Sequence, residues 1–420
     1  MIGFVRKALS ILLYPAARVI VTAQSELQRI RTVGKSPVVH FDEPYGGQPI
    51  MLLALYQKGR LRPDLIRLIE AARAQGLYVL GVNTLKLTHP EELRDLVDCY
   101  IERPNFGRDF GSYKTGFLHI FHRRWEGHCP RLLMLNDSVF YSEKRLPKFL
   151  NDMMASDIEV LGSTENFDIE HHMGSFCIAF GSVILRHKLF RKYWNSYRLT
   201  DVRPIVINRG ELKLSKVLKR CATGPDQFAA LYGAARYIQA IKTDLALLDF
   251  AIANVRTSKI FAWKRASLKS VAVEFRDRYA MRKEDPSAFT KGVEVSSHES
   301  FEEVYLANFD SLQSYFKEVL KADNINESDL RNMVVAELGE GFLSGSQVHQ
   351  NACILLEIGL PFIKNDGLYR GIFSLEDVNR ISALIEPSEA VELLSILVSR
   401  PYGGRYLTGW KRAAFEAGLI

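Results

Sequence analysis

Residues 103–113, Arg-Pro-Asn-Phe-Gly-Arg-Asp-Phe-Gly-Ser-Tyr, and residues 132–138, Leu-Leu-Met-Leu-Asn-Asp-Ser, decide how this chain reads. In each, a strand-like apolar run stops abruptly in small and polar residues. Tyr100-Ile101 leads into Asn105, Gly107, Arg108, Asp109 and Gly111, and Leu132–Leu135 leads into Asn136, Asp137 and Ser138. Open α/β sheets bind ligands outside the carboxyl ends of their strands. Two such ends would bring an amide, a guanidinium, two carboxylates and a hydroxyl to one crevice.

The surrounding pattern supplies the sheet. Residues 37–41 read as a buried strand, which Asp42-Glu43-Pro44-Tyr45-Gly46-Gly47 releases into a turn. Pro63 opens a helix with Leu65, Ile66, Leu68, Ile69 and Ala72 on its apolar face, and residues 77–82 form the next strand. Strand, helix and strand in that order predict a parallel βαβ pair. Residues 98–102 form the strand that delivers the Arg103 loop, and residues 112–124 a helix whose first N–H groups would suit an anion. Strands at 132–135, 159–162 and 175–185 and a helix at 144–155 continue the alternation, and a further helix runs from Leu212. Beyond about residue 255 it fades into segments of helical spacing at 301–320, 330–338 and 348–358. The expectation is an α/β fold, a mostly parallel Rossmann-like sheet flanked by helices, with a mostly helical C-terminal domain. Its parts are an N-terminal segment (1–30), a ligand-binding domain (31–255) and the helical domain (256–420).

At 420 residues the chain exceeds one ordinary core. Its formal charge of +7 fits an anionic ligand or membrane surface, but no Lys/Arg block is interleaved with aromatics, so nucleic acid is not the expected partner. Five scattered cysteines contain no C-x-x-C pair, which argues against a zinc site or a disulfide framework and for a reducing compartment. Near the N-terminus the uncharged run 8–17 is too short to span a bilayer. Val5, Leu9, Leu12, Leu13 and Ala16 recur at helical spacing beside Arg6, Lys7 and Arg18. This describes an amphipathic helix, lying on an anionic leaflet or packed on the protein's own core.

Three roles are open to Asn136-Asp137-Ser138: holding Mg²⁺ or Mn²⁺, bonding a sugar or ribose directly, or closing an Asx turn. Arg108 has the fork that pairs with phosphate oxygens, and Asp109 either holds Arg108 or accepts from a base or ribose. Glu211, after Gly210, is the candidate general base, or else a carboxylate favoured by a helix start. His172 would contact a substrate oxygen or phosphate, or simply cap the strand that follows. Asp109-Phe110-Gly111 also spells the magnesium motif of protein kinases, but no H-R-D-x-x-x-x-N loop precedes it.

Together, Asp42-Glu-Pro-Tyr-Gly, the Arg103–Tyr113 stretch, Leu135-Asn-Asp-Ser-Val, His172-Met-Gly-Ser-Phe and Gly210-Glu-Leu-Lys-Leu-Ser resemble the rhamnan synthesis F family of bacterial polysaccharide glycosyltransferases. The likeness covers residues 36–235, with a fainter echo in Gly359-Leu-Pro-Phe-Ile-Lys. It implies a GT-A-like fold. It also implies transfer of a sugar, rhamnose by the family name, from a nucleoside-diphosphate donor to O-antigen, capsule or a related glycan. The acceptor would be lipid-linked or polysaccharide, and the work would be done at the cytoplasmic face of the bacterial membrane. By the same likeness Asn136-Asp137-Ser138 stands where GT-A enzymes carry a metal-binding D-x-D, with Asp137 as the metal ligand and a catalytic residue. Arg108 and Asp109 would serve the donor, His172, Ser175 and Glu211 would lie nearer the sugar and acceptor, and Asp42 and Asn105 would also bind substrate. Asn136 and Ser138 replace the two acids of D-x-D, and Met173-Gly174 departs from the family's bulky residue and Gln. Two other readings compete: a non-catalytic scaffold that keeps the fold, and a nucleotidyltransferase, for which no Gly-rich, Lys-containing phosphate loop is present.

Overall fold

An uninterrupted apolar run, Ile50–Leu55, forms the middle of the sheet. The computed structural model describes residues 2–254, 256–259, 262–265, 308–319, 326–343 and 345–420. The strands of the main sheet and of one further pair are, in chain order, β1 (Val38–Asp42), β2 (Ile50–Leu55), β3 (Tyr78–Asn83), β4 (Cys99–Glu102), β5 (Arg131–Asn136), β6 (Val139–Tyr141), β7 (Val160–Gly162), β8 (Cys177–Gly181), β9 (Phe228–Ala230) and β10 (Phe362–Lys364). Eight of them make one mixed sheet in the order β1-β4-β3-β2-β5-β8-β7-β9, while β6 and β10 pair separately. Strands β4, β3, β2 and β5 are parallel. β1 runs antiparallel to β4, β8 antiparallel to both β5 and β7, and β9 parallel to β7.

The expected α/β class holds, but its first unit needs correcting. The strand at 37–41 is not buried: β1 is an edge strand with Val38 and Val39 exposed. The parallel partner of β3 is instead β2, joined to it through α2 (Pro63–Ala74). All six residues of β2 are buried, so it shows none of the alternation that marks a half-exposed strand.

From β2 the chain steps outward to β3 and β4. It then returns through α3 (Arg108–Arg123) to β5, on the other side of β2. The strand order therefore reverses between β2 and β5, the switch point at which open α/β sheets form a crevice. α3 begins at Arg108 rather than Ser112 and buries Phe110, Tyr113, Phe117, Ile120 and Phe121. Phe117 stacks on Trp194 at 4.5 Å. Each such side chain is worth about 1.5–3 kcal/mol when fully buried. The strand expected at 175–185 ends at Gly181 and turns into the helix Ser182–Arg186.

Two compact units emerge. The first comprises Met1–Glu165, Glu170–Leu231 and Gly359–Ile420. Its last segment is tied in by β10 on β6, by Arg67 bonded to both Glu392 oxygens, and by buried Glu389, which accepts from Ser142 Oγ and Glu143 N–H. Helix α1 (Ile2–Thr32) packs Ala17 and Val21 with Val202, Ala414 and Leu419, and leaves Val19, Leu27 and Ile30 exposed. Among the described residues no helix is long and apolar enough to cross a membrane. The second unit, Asn166–Ile169 with Tyr232–Ile358, is mainly helical in its described parts, and Tyr237 stacks on Phe342 at 4.3 Å. The boundary expected near 255–260 touches residues 255 and 260, and the helix expected at 301–320 includes 301–307 and 320; these lie outside the described residues.

Candidate active site

The carboxyl ends of β2 and β5 meet through Asp137. Its Oδ2 accepts from the Tyr56 N–H at 2.6 Å and from the Gln57 side-chain amide. Burial pushes the acid up, against the pull of Arg62 and these two donors. Arg62, just ahead of α2, binds buried Asp64 through two bonds of 2.9 Å. It also donates to the carbonyls of Asp137 and Val139. One guanidinium thus clamps the start of α2 to the loop after β5.

Asn136 is the hub of the tripeptide. Its Nδ2 donates to Asp109 Oδ2 at 2.9 Å, and its Oδ1 accepts from both the N–H and the hydroxyl of Ser138. The Asx turn allowed by the sequence is therefore present, and it also joins the loop after β5 to the start of α3.

The loop before α3 is shaped from within by Arg103. Its buried guanidinium donates to Ser112 Oγ and to the carbonyls of Pro104, Phe106 and Arg108. Gly107 turns the chain with φ 90°, a left-handed conformation that favours glycine, and its N–H donates to Asp201 Oδ1 at 2.7 Å. A carboxylate of the protein itself thus occupies part of the helix start expected to suit an anion. Arg108 Nε bonds the Asp201 carbonyl at 2.9 Å, and Asn105 is exposed, its carbonyl accepting from Gln28.

The third wall follows from strand direction. β8 is antiparallel to β5, with Cys177 opposite Leu135, so the residues just before β8 stand beside Asn136. The Asn136 N–H donates to the Phe176 carbonyl at 3.2 Å, and the Tyr113 hydroxyl to the Ser175 carbonyl at 3.0 Å. Ser175 Oγ donates to Glu211 Oε1 at 3.0 Å, and His172 Nε2 lies 3.7 Å from Glu211 Oε2. The Glu170 carbonyl can only accept, so His172 Nδ1 carries the proton in their 2.7 Å bond.

Glu211 is not at a helix start. It sits in a π-helical turn, Ile207–Leu212, between the helices Arg203–Val206 and Lys213–Cys221. Such turns recur at functional sites. A side chain at Gly210 would begin 2.7 Å from the Phe110 ring, so glycine is needed for this turn to pack on α3. Burial raises the Glu211 acid, but His172, Lys364 and Ser175 outweigh it and hold the group below its usual range.

Sequence reasoning gave no role to Lys364, which lies in the fainter echo Gly359–Lys364. β10 carries its Nζ to 2.9 Å from Ser138 Oγ and 4.5 Å from the centre of the Phe176 ring. Burial lowers this ammonium below the usual lysine range, while Asp366, Asp109 and Glu211 act the other way. The next residue, Asn365, bonds the main chain of Asp137 and Ser138. Arg203 and Arg370 were also missed. Burial, with Arg370 next in effect, holds Arg203 down to about 10.

The structure gathers Asp109, Asn136, Asp137, Ser138, His172, Ser175 and Glu211 around the switch point, with Arg108 at its edge. Asp42 is not among them. Because β1 is antiparallel, Asp42 pairs with Cys99 at the amino end of β4, the opposite end of the sheet from Asn136. There its carboxylate meets Arg123, His119 at 3.3 Å and the Tyr78 hydroxyl. Asp42, Cys99 and His119 cluster closely enough to suggest a metal. However, Arg123 already holds the carboxylate, and burial raises the Cys99 thiol so that it stays protonated.

Parts of the chain are similar to known proteins. A protein of Sinorhizobium fredii (strain NBRC 101917 / NGR234) named Uncharacterized protein y4gN is 27% identical over 217 residues, covering 50% of this chain and 53% of its own. Virulence protein VirA of Vibrio anguillarum is 29% identical over 119 residues, 28% of this chain and 38% of its own. The chain thus matches about half or less of each relative. Residues 78–222, which hold every residue gathered at the switch point, match the family model described as Rhamnan synthesis protein F, the family its motifs resemble.

Proposed function

We propose that the chain is a GT-A-like glycosyltransferase. It moves a sugar from a nucleoside-diphosphate donor to a hydroxyl of a bacterial cell-surface glycan, rhamnose being the sugar named in the family's description. The observation that carries this is the meeting at the β2/β5 switch point of a polar network with Glu211, a carboxylate held ionised.

In a single displacement the acceptor oxygen bonds to the sugar C1 and its proton passes to Glu211. The C1–O bond to the diphosphate breaks, and its electron pair leaves with the nucleotide. Such a base contributes about 10²–10⁴-fold in rate. Ser175 and His172 orient the carboxylate and keep it charged, and cationic groups must meet the charge on the departing phosphate. The acceptor is lipid-linked or polysaccharide. The exposed Val19, Leu27 and Ile30 of α1 support peripheral contact with the inner face of the cytoplasmic membrane.

The test incubates the full chain with UDP-, GDP- and dTDP-sugars and a bacterial lipid-linked glycan fraction, and measures acceptor-dependent release of nucleoside diphosphate. Release with one donor, lost in Glu211→Gln, is expected. Nucleotide binding without transfer would favour a non-catalytic scaffold with the same fold.

A further inference from the structure

GT-A enzymes of the D-x-D type hold the donor diphosphate through a divalent cation, which requires oxygens free to turn toward it and no positive charge in its place. The residues at 136–138 do not fit that requirement. Asp137 Oδ2 already accepts from Tyr56 and Gln57, and Asn136 Oδ1 accepts twice from Ser138, which leaves Asp137 Oδ1 as a single free carboxylate oxygen, too few to anchor a divalent cation. The Ser138 oxygen accepts from the Lys364 ammonium at 2.9 Å. A cation within reach of that hydroxyl would lie against another cation, and like charges at such spacing repel.

The same cation is poised to bind. Among the described residues Lys364 Nζ has one protein acceptor, Ser138 Oγ, which leaves two of its three donors for a ligand. Arg203 is half-buried, and its guanidinium has no hydrogen bond or ion pair to another described residue. The C-terminal segment sets Arg203 and Arg370 together. The Arg203 N–H bonds the Leu419 carbonyl at 3.3 Å, a side chain at Gly418 would begin 3.8 Å from Arg203 Nη1, and Arg370 bonds Ile420 O at 3.3 and 3.4 Å. Burial is the main cause that lowers Lys364 and Arg203, and Arg203 adds to it at Lys364, as Arg370 and Arg108 do at Arg203. Arg370 is already held by Asp366 at 2.6 Å and by Ile420, so Lys364 and Arg203 are the cations here with donors left for an anion of more than one charge.

We propose that the Lys364 ammonium and the Arg203 guanidinium take the place of a divalent cation and bind the donor's diphosphate directly. This rests on the glycosyltransferase reading and gives it a chemistry: as the sugar C1–O bond breaks, these fixed cations meet the charge gathering on the leaving diphosphate.

The test titrates the full chain calorimetrically with UDP, GDP and dTDP, each in EDTA and in Mn²⁺, and with the matching nucleosides. One diphosphate is expected to bind equally well in both buffers, within about threefold, since each charge-assisted bond is already supplied by the protein. Lys364→Met and Arg203→Gln should each weaken that nucleotide by about ten- to a hundredfold, the range of a lost charged hydrogen bond. They should leave nucleoside binding and Tm unchanged, and Lys364→Arg should recover part of the loss. Binding that appears only with Mn²⁺, or wild-type affinity in both variants, would overturn the inference and leave the donor reading standing. Binding of none of the three nucleotides would remove the donor reading and this inference with it.

Discussion

Asp137 is the one acid of the tripeptide that stands in place of D-x-D, at its middle position, yet its surroundings describe a structural acceptor, and the two roles separate cleanly by substitution. Alanine at 137 strips the acceptor from the Tyr56 N–H and the Gln57 amide. A buried donor left unsatisfied costs about 1–3 kcal/mol, which applies to the part-buried Gln57 amide, whereas the exposed Tyr56 N–H can turn to water and costs less. Relief of the Asp137 charge offsets part of this, leaving a net loss of about 1–3 kcal/mol. Arg62 adds little, because Asp64 still holds it. Asparagine keeps one oxygen for both donors and removes the charge, so Asp137→Asn should lie within about 1 kcal/mol of wild type. The pH dependence has a definite sign. The folded-state pKa is raised, so the stabilisation from protonating Asp137 is present at low pH and lost as pH rises through the folded value. Wild type should therefore gain on Asp137→Asn as pH falls from neutral toward the usual carboxylate range. Urea unfolding followed by the fluorescence of Trp125 and Trp194, both in the sheet unit's core, measures this. Equal destabilisation by asparagine and alanine would refute the reasoning, because it would show that the charge itself is needed.

Other consequences follow from single contacts. Arg62→Ala leaves Asp64, which is 0% exposed, with an uncompensated charge and should cost about 3–5 kcal/mol in the same unfolding assay. Gly210→Ala drives a methyl into Phe110 and should cost about 1–3 kcal/mol, with transfer falling as the π-turn shifts. Glu211 has a depressed pKa, so its ionised form supports stability above the usual glutamate range and loses that support only as pH falls through the lower folded value. Ser175→Ala removes a donor to that carboxylate and should move the acid limb of the transfer rate to higher pH, read from a rate–pH profile. Asp42→Asn should leave transfer unchanged while lowering Tm, because it breaks the Arg123 pair at the far end of the sheet.

The strand-end loops were legible because their chemistry is local: an apolar run stopping at Asn136-Asp137-Ser138 or at Gly107-Arg108-Asp109 marks a sheet edge whatever the topology. β2 was not, because Ile-Met-Leu-Leu-Ala-Leu buried on both faces carries no period, and its leucines, methionine and alanine suit a helix equally. That omission carried Asp42 into the crevice, since only the antiparallel pairing of β1 shows that it points to the other end. Glu211 was found as a residue but not as part of a π-turn, which depends on Gly210 closing onto Phe110. Lys364 lies 226 residues from Ser138 in sequence, and only the pairing of β10 with β6 brings them together.

The most direct test of the proposed activity is a thermal-shift titration of the full chain with UDP, GDP, dTDP and CMP. A ligand at a hundred times its Kd stabilises the folded state by about 2.7 kcal/mol. A rise in Tm with one nucleoside diphosphate, saturable and absent with its nucleoside, is the expected result. No shift with any of the four would contradict the assignment of the β2/β5 crevice to a nucleotide-sugar donor.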